Sequence, residues 1–191
     1  MNNDPNKIIL HHSLTEDGKV LSSYEAIRRY HMEELGFSDI AYHGLFEYVD
    51  NQFIFQQGRD WQTKGAHTSE EGQNYKSLGW CIVGNFDRSY LTVEQIQFIL
   101  MKQAEWEVRL NRKLPFELHR TYADYKTCPG TNISLEVFSN KTYEDQIDEV
   151  MESPVQWKAY VAELIKLAEG DTGILKQGIY LPEFIDKLYK A

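Results

Sequence analysis

The chain has 191 residues, 42% hydrophobic and 26% charged, with 12 glycines and 5 prolines. This composition excludes disordered and collagen-like polymers and suits one sizeable domain with a short appendage. Its net charge of −9 disfavours a nucleic-acid partner, whose affinity is built from Lys and Arg contacts to phosphate.

Residues 1–7 are polar, no apolar segment stands behind them, and nothing approaches the roughly 20 apolar residues of a membrane span. Synthesis in the cytoplasm is the expectation. Asn6–Leu10 (NKIIL) has the length of a buried strand. Ser22-Ser23-Tyr24-Glu25 reads as a capping box and Gly36 as a left-handed stop, which predicts a helix from about Ser23 to Leu35. From Tyr42 to Gln57, apolar and aromatic residues flank Asp50-Asn51, turn chemistry that predicts a hairpin. Leu78–Val83 reads as a central strand. Thr92-Val93-Glu94-Gln95 repeats the capping-box pattern ahead of a helix over about Val93 to Leu110, and Leu114–Leu118 reads as a short strand. The order β, α, β, β, β, α, β predicts an α/β fold with a mixed central sheet flanked by helices.

Beyond Lys141 the composition shifts, with residues 143–191 carrying −5 of the total charge. Ser153-Pro154 starts one apolar helical stripe (Val155, Tyr160, Val161, Leu164) and Tyr180, Leu181, Phe184 and Leu188 form a second. The expected division is a domain at 1–140 and a helical C-terminal extension at 141–191.

Three places carry chemistry. His11-His12 ends the first strand, and because side chains alternate across a strand only one of the pair readily serves a given site. His119-Arg120 follows the last strand, and Cys128 stands in a Pro-Gly turn nine positions after His119. Neither has a CxxC partner, so a local zinc finger is excluded; a metal site and a structural pair with an inert thiol both fit these residues alone. Cys81, inside an apolar strand, reads as a core thiol, and two cysteines are too few for a disulfide scaffold.

Taken together, IILHHS at 8–13, DIAYHG at 39–44, QGRD at 57–60, KGAH at 64–67, NYKSLGWCIVGNF at 74–86, and HR followed by KTCPG at 119–130 resemble the zinc-dependent N-acetylmuramoyl-L-alanine amidases of type 2. That group includes amidase-type phage lysozymes and the peptidoglycan recognition proteins. The resemblance implies a mixed sheet flanked by helices and one Zn2+ held by His11, His119 and Cys128, with water as fourth ligand. It assigns Tyr42 to the water or the oxyanion and Lys126 to the developing charge, and it puts His67 and Asn74 on a substrate-contacting cleft rim. His43 is expected as a supporting or core histidine and His31 as a solvated one.

The chain departs from the pattern at Thr121, where many members have Asp, in an interval between His119 and Cys128 one residue longer than usual, and at Ala41 and Gly44. The implied activity is hydrolysis of the amide between N-acetylmuramic acid and L-alanine in peptidoglycan. An endolysin made in the cytoplasm and reaching the wall after membrane permeabilisation is the leading setting. The alternatives are a muropeptide-recycling amidase, a non-catalytic peptidoglycan-binding module and a structural phage component.

Overall fold

An apolar run with no polar face has to be covered on both sides, and residues 8–10 and 78–82 are two such runs. A computed structural model of the chain describes residues 2–138. It contains strands β1 (Ile8–His12), β2 (Gly44–Val49), β3 (Gln52–Gln57), β4 (Leu78–Ile82) and β5 (Phe116–Leu118), and helices α1 (Tyr24–Arg29) and α2 (Val93–Leu110). The strands form one mixed sheet in the order β3-β2-β4-β1-β5. β1 runs parallel to both β4 and β5, β2 runs parallel to β4, and only β2 and β3 pair antiparallel. Ile8, Ile9, Leu10, Leu78, Trp80 and Ile82 are wholly buried, as their uninterrupted apolarity requires.

The mixed sheet and the element order agree with the sequence reading. The β2–β3 turn falls on Asp50-Asn51, both with positive φ (50° and 61°), the two-residue geometry that matches the twist of its strands. The α2 capping box also forms: Thr92 Oγ1 accepts from Gln95 N (3.3 Å) and Gln95 Oε1 accepts from Thr92 N (2.8 Å). β1 starts and ends two residues later than expected, carrying both histidines inside the pairing, and β5 is shorter.

The first helix differs in three ways. Its regular part covers only Tyr24–Arg29 and passes into a wider π turn at Tyr30–Glu34, which Gly36 ends at φ +70°. Ser23 makes no side-chain cap. The wholly buried Glu47 of β2 takes that part instead, accepting from Ser23 N and, at 2.6 Å, from Ser22 Oγ. His31 is buried rather than solvated. Its Nδ1 accepts from Ala41 N (3.1 Å) and its ring lies on Phe37 and Tyr42, so the turn brings one more imidazole inward.

The sheet, α1 and the turns between them belong to one unit, Met1–Gln95 with Lys113–Val137; Ile96–Arg112, most of α2, belongs to a second. Ile40, Leu45, Cys81 and Val83 form a core cluster with Tyr24 and Ile27 of α1 packed against it, which confirms Cys81 as a core thiol. No helix among the described residues is long and apolar enough to cross a membrane. The expected extension at 141–191, with its two stripes, lies outside the described residues.

Removing the Glu47 carboxylate leaves Ser23 N, Ser22 Oγ and Gln56 Nε2 without their shared acceptor. Glu47→Ala is therefore expected to lower the unfolding free energy by about 2–3 kcal/mol. Urea titration checks this, and an unchanged midpoint would show that the cap contributes nothing.

Candidate functional site

Register assembles the site. Leu10 pairs with Leu118 across the parallel β1–β5 ladder, so the next residue on β1, His11, and the first residue past β5, His119, stand side by side at the carboxyl ends of their strands. Their ring centroids are 4.4 Å apart. Ligand sites of sheets with parallel strands collect at this edge, because the chain leaves it in loops that can bring in further groups. Here the loop after β5 brings Cys128, whose Sγ lies 3.6 Å from His11 Nδ1. His12 points to the other face, where its Nδ1 accepts from Phe86 N (3.3 Å).

One donor atom from each of His11, His119 and Cys128 lies within 4.8 Å of the other two. Tetrahedral zinc with bonds of about 2.0–2.3 Å separates its donors by roughly 3.3–3.8 Å, and the 3.6 Å between His11 and Cys128 fits that. Among the described residues His119 Nε2 is buried with no hydrogen-bond partner, which leaves its lone pair open to a cation. Two imidazoles with a thiol are also the donor types zinc prefers, so these residues suit the ion the resemblance implies.

Burial, followed by the nearby titratable His67 and His119 and the Lys126 ammonium, holds the His11 pKa well below its usual 6.5. Burial and Lys126 bring His119 down to about 4 against an opposing pull from Glu70. Both imidazoles are thus neutral, the form that can donate a lone pair. Burial pushes the Cys128 thiol up to about 11, opposed by the His12 backbone N–H, Lys126 and Arg120; a divalent cation reverses that balance and favours the thiolate.

The loop carrying Cys128 is held by charged side chains aimed at its backbone. Arg120 donates to Gly130 O (2.8 Å) and Ile133 O (2.5 Å), while its own N–H donates to Cys128 O (2.8 Å). Asp87 accepts from Thr127 Oγ1 and Thr131 N, both at 2.8 Å. Gly130, at φ +117°, lies so close to Phe86 that a Cβ would come within 2.5 Å of its backbone. Between His119 and Cys128 the chain closes on itself in turns, with Tyr122 N donating to His119 O (3.0 Å) and Lys126 N to Ala123 O (2.9 Å).

Tyr42 is partly buried with its ring 5.2 Å from that of His11. Burial and the neighbouring Cys81 and Cys128 raise its phenol well above 10. Lys126 is exposed on the loop beside the donors. At Gly44 the Phe55 ring occupies the space a side chain would take, 2.2 Å from where a Cβ would be. His67 and Asn74 are each only 8% exposed, deeper than a rim position suggests. Asn74 Oδ1 accepts from His67 N (2.8 Å) and Thr68 N (2.9 Å), and His67 Nδ1 lies 3.1 Å from His11 Nε2. His43 is a core histidine: its Nδ1 accepts from Gly79 N and its Nε2 meets Thr63 O, both at 2.9 Å.

Arg59 and Glu70 are functional-site neighbours to which the sequence alone assigns no role. Arg59 is buried and donates to the carbonyls of Ile40, Lys64 and Asp39, which anchors the approach to Tyr42; the QGRD block was its only signal. Glu70 Oε1 accepts from Tyr125 OH at 3.0 Å, joining two loops near His119, and nothing local in sequence announces that pair.

The fold is that of the amidases and peptidoglycan recognition proteins among solved structures. The chain matches the family model described as N-acetylmuramoyl-L-alanine amidase over residues 1–131 and belongs to that family. Peptidoglycan-recognition protein SC2 of Drosophila melanogaster is 30% identical over 135 residues, 68% of this chain and 70% of that protein. Among solved structures, the N-acetylmuramoyl-L-alanine amidase LysC from Clostridium intestinale superposes with a TM-score of 0.59 at 23% identity, covering 74% of this chain and 87% of that one. Peptidoglycan recognition protein LE, solved with tracheal cytotoxin, a monomeric diaminopimelic acid-type peptidoglycan, gives 0.61 at 24%, covering 72% and 82%. At these identities the structural likeness is one of fold.

The buried imidazoles set a pH dependence. His43, like His119, is held at about 4 against 6.5. The unfolded chain therefore takes up protons between those values that the folded chain refuses, and stability falls as pH drops through that window. The metal-free protein is expected to lose stability from about pH 6.5 to pH 4, with His43 alone contributing about 3 kcal/mol. Thermal midpoints across that range check it; a flat profile would contradict neutral burial.

Proposed function

We propose that the protein hydrolyses the amide joining the lactyl carbonyl of N-acetylmuramic acid to the L-alanine nitrogen of the peptidoglycan stem peptide. The reading is carried by the convergence of the His11, His119 and Cys128 donors beside Tyr42. The presence of Cys128 favours hydrolysis over a pure sensor, which can dispense with the third donor. His11, His119 and Cys128 would hold a zinc ion, which would supply Lewis acidity and lower the pKa of a water.

The chain's own residues do the remainder. The Tyr42 hydroxyl positions the water and donates to the carbonyl oxygen as charge develops there, and the Lys126 ammonium faces the same charge. The water oxygen bonds to the carbonyl carbon, the C–N bond breaks, and the alanine nitrogen leaves carrying a proton. In this reading His67 and Asn74 support the wall that faces the substrate, Asn74 by holding the backbone N–H groups of His67 and Thr68. Muropeptide is the partner, as tracheal cytotoxin is for one structural neighbour.

The protein acts as a phage or prophage endolysin that meets the wall after membrane permeabilisation. The family match over residues 1–131 supports a catalytic domain at 1–140, and the extension at 141–191 is directed to the wall. A recycling amidase needs only soluble muropeptides.

Mass spectrometry of digested sacculi is expected to find stem peptides with a freed N-terminal L-alanine; intact stems would refute hydrolysis. Activity is expected to vanish with a strong chelator and in His119→Ala, and full zinc occupancy in that variant would remove His119 from the ligand set. Tyr42→Phe and Lys126→Ala are expected to keep zinc and turn over about 10²- to 10³-fold more slowly. A chain ending near Asn140 is expected to cleave soluble muropeptides and to lose activity on whole sacculi, whereas equal activity on both would argue against wall targeting by the extension.

A further inference from the structure

His11 has two ring nitrogens with different neighbours. Nδ1 faces Cys128 Sγ at 3.6 Å, and Nε2 faces His67 Nδ1 at 3.1 Å. A neutral imidazole that presents Nδ1 as a lone-pair donor carries its proton on Nε2. The hydrogen bond then runs from His11 Nε2–H to His67 Nδ1, and the proton of His67 is on its own Nε2. The Thr68 hydroxyl sits beside the pair, 3.1 Å from His67 Nδ1 and 3.5 Å from His11 Nε2.

The surroundings leave the acceptor little freedom. The His67 ring is walled by two glycines: a Cβ on Gly65 would come within 2.5 Å of it, and one on Gly79 within 2.3 Å. Gly79 belongs to β4, so its backbone is fixed by the ladder to β1, where it pairs with Ile9. On the other side Asn74 Oδ1 holds the N–H groups of both His67 and Thr68. The KGAH and LGW blocks therefore meet in space. Their glycines clear a slot for one imidazole, and that imidazole sets its Nδ1 3.1 Å from His11 Nε2.

We infer that His67 is a positioning residue for His11: by accepting from Nε2–H it selects the tautomer and ring orientation that turn His11 Nδ1 toward His119 and Cys128. This rests on the amidase reading only in taking His11 as a metal ligand. It also distinguishes His67 from a residue that merely contacts substrate, since contact with substrate has no effect on metal affinity.

The test uses the full-length protein and Zn2+ alone, with affinity read by competition against a chromogenic chelator. His67→Phe, which removes the acceptor, is expected to weaken zinc binding about 10- to 100-fold. His67→Gln, whose amide oxygen can accept from His11, is expected to recover most of that loss. Zinc affinity in folded His67→Phe equal to the unmutated protein would overturn the inference. A second reading needs no variant: ¹⁵N NMR of the metal-free protein is expected to show His11 as the Nε2–H tautomer, and the Nδ1–H tautomer would overturn the inference as well. If the unmutated protein bound no zinc, the amidase reading would fail, and the tautomer would still decide the hydrogen bond.

Discussion

Parallel pairing of β1 with both β4 and β5 is the constraint on which the site depends. It places Leu10 between Trp80 and Leu118, and by doing so it delivers His11 and His119 to one edge at one level, from positions 108 residues apart. Side chains alternate across a strand, so a slip of one residue would send His11 to the face where His12 now meets Phe86. The buried apolar residues of β1 and β4 oppose that slip, because it would exchange the two covered faces of the inner strands. The hydrophobic register and the donor geometry are thus a single condition.

The loops around that edge are held by charged side chains directed at backbone rather than at one another. Arg120 and Asp87 fix the segment from Thr127 to Ile133, Arg59 fixes Asp39 and Ile40 ahead of Tyr42, and Glu47 fixes the start of α1. A loop beside a site cannot rely on a ladder for its peptide groups, and a buried peptide group without a partner costs about 1–3 kcal/mol. Guanidinium and carboxylate groups, with several donors or acceptors each, satisfy two or three such groups from one anchor. The Arg of the HR block and the Arg of the QGRD block are explained by this need.

The site side of the sheet also gathers imidazoles. His119, His11, His67 and His43 follow one another with centroid spacings of 4.4, 5.1 and 5.6 Å. Burial lowers the pKa of all four, so the row stays uncharged near neutral pH and each ring acts through hydrogen bonds or lone pairs. His43 braces β4 through Gly79, His67 meets His11, and His11 and His119 face Cys128. Rigidity, passed along this row from the sheet, is what a preorganised donor set requires.

Much of this was legible in the chain itself. Apolar runs located β1 and β4, Asp50-Asn51 located the hairpin, and the Thr92 and Gln95 pair located the start of α2, because each depends on residues a few positions apart. The six spaced blocks named the donors and Tyr42 by family resemblance. Other features arose only in three dimensions. Ser22-Ser23-Tyr24-Glu25 reads as a self-contained cap, yet Glu47 takes that place because β2 brings a buried carboxylate to the helix start. His31 reads as solvated, yet Ala41 and Tyr42 draw it inward. The Glu70–Tyr125 bond and the slot cut for His67 by Gly65 and Gly79 have no local signature. Short-range pattern determined the elements and the inventory of reactive side chains. Partners for buried polar groups were decided by the tertiary structure, since a hydrogen bond is chosen by proximity in space and strand register sets that proximity.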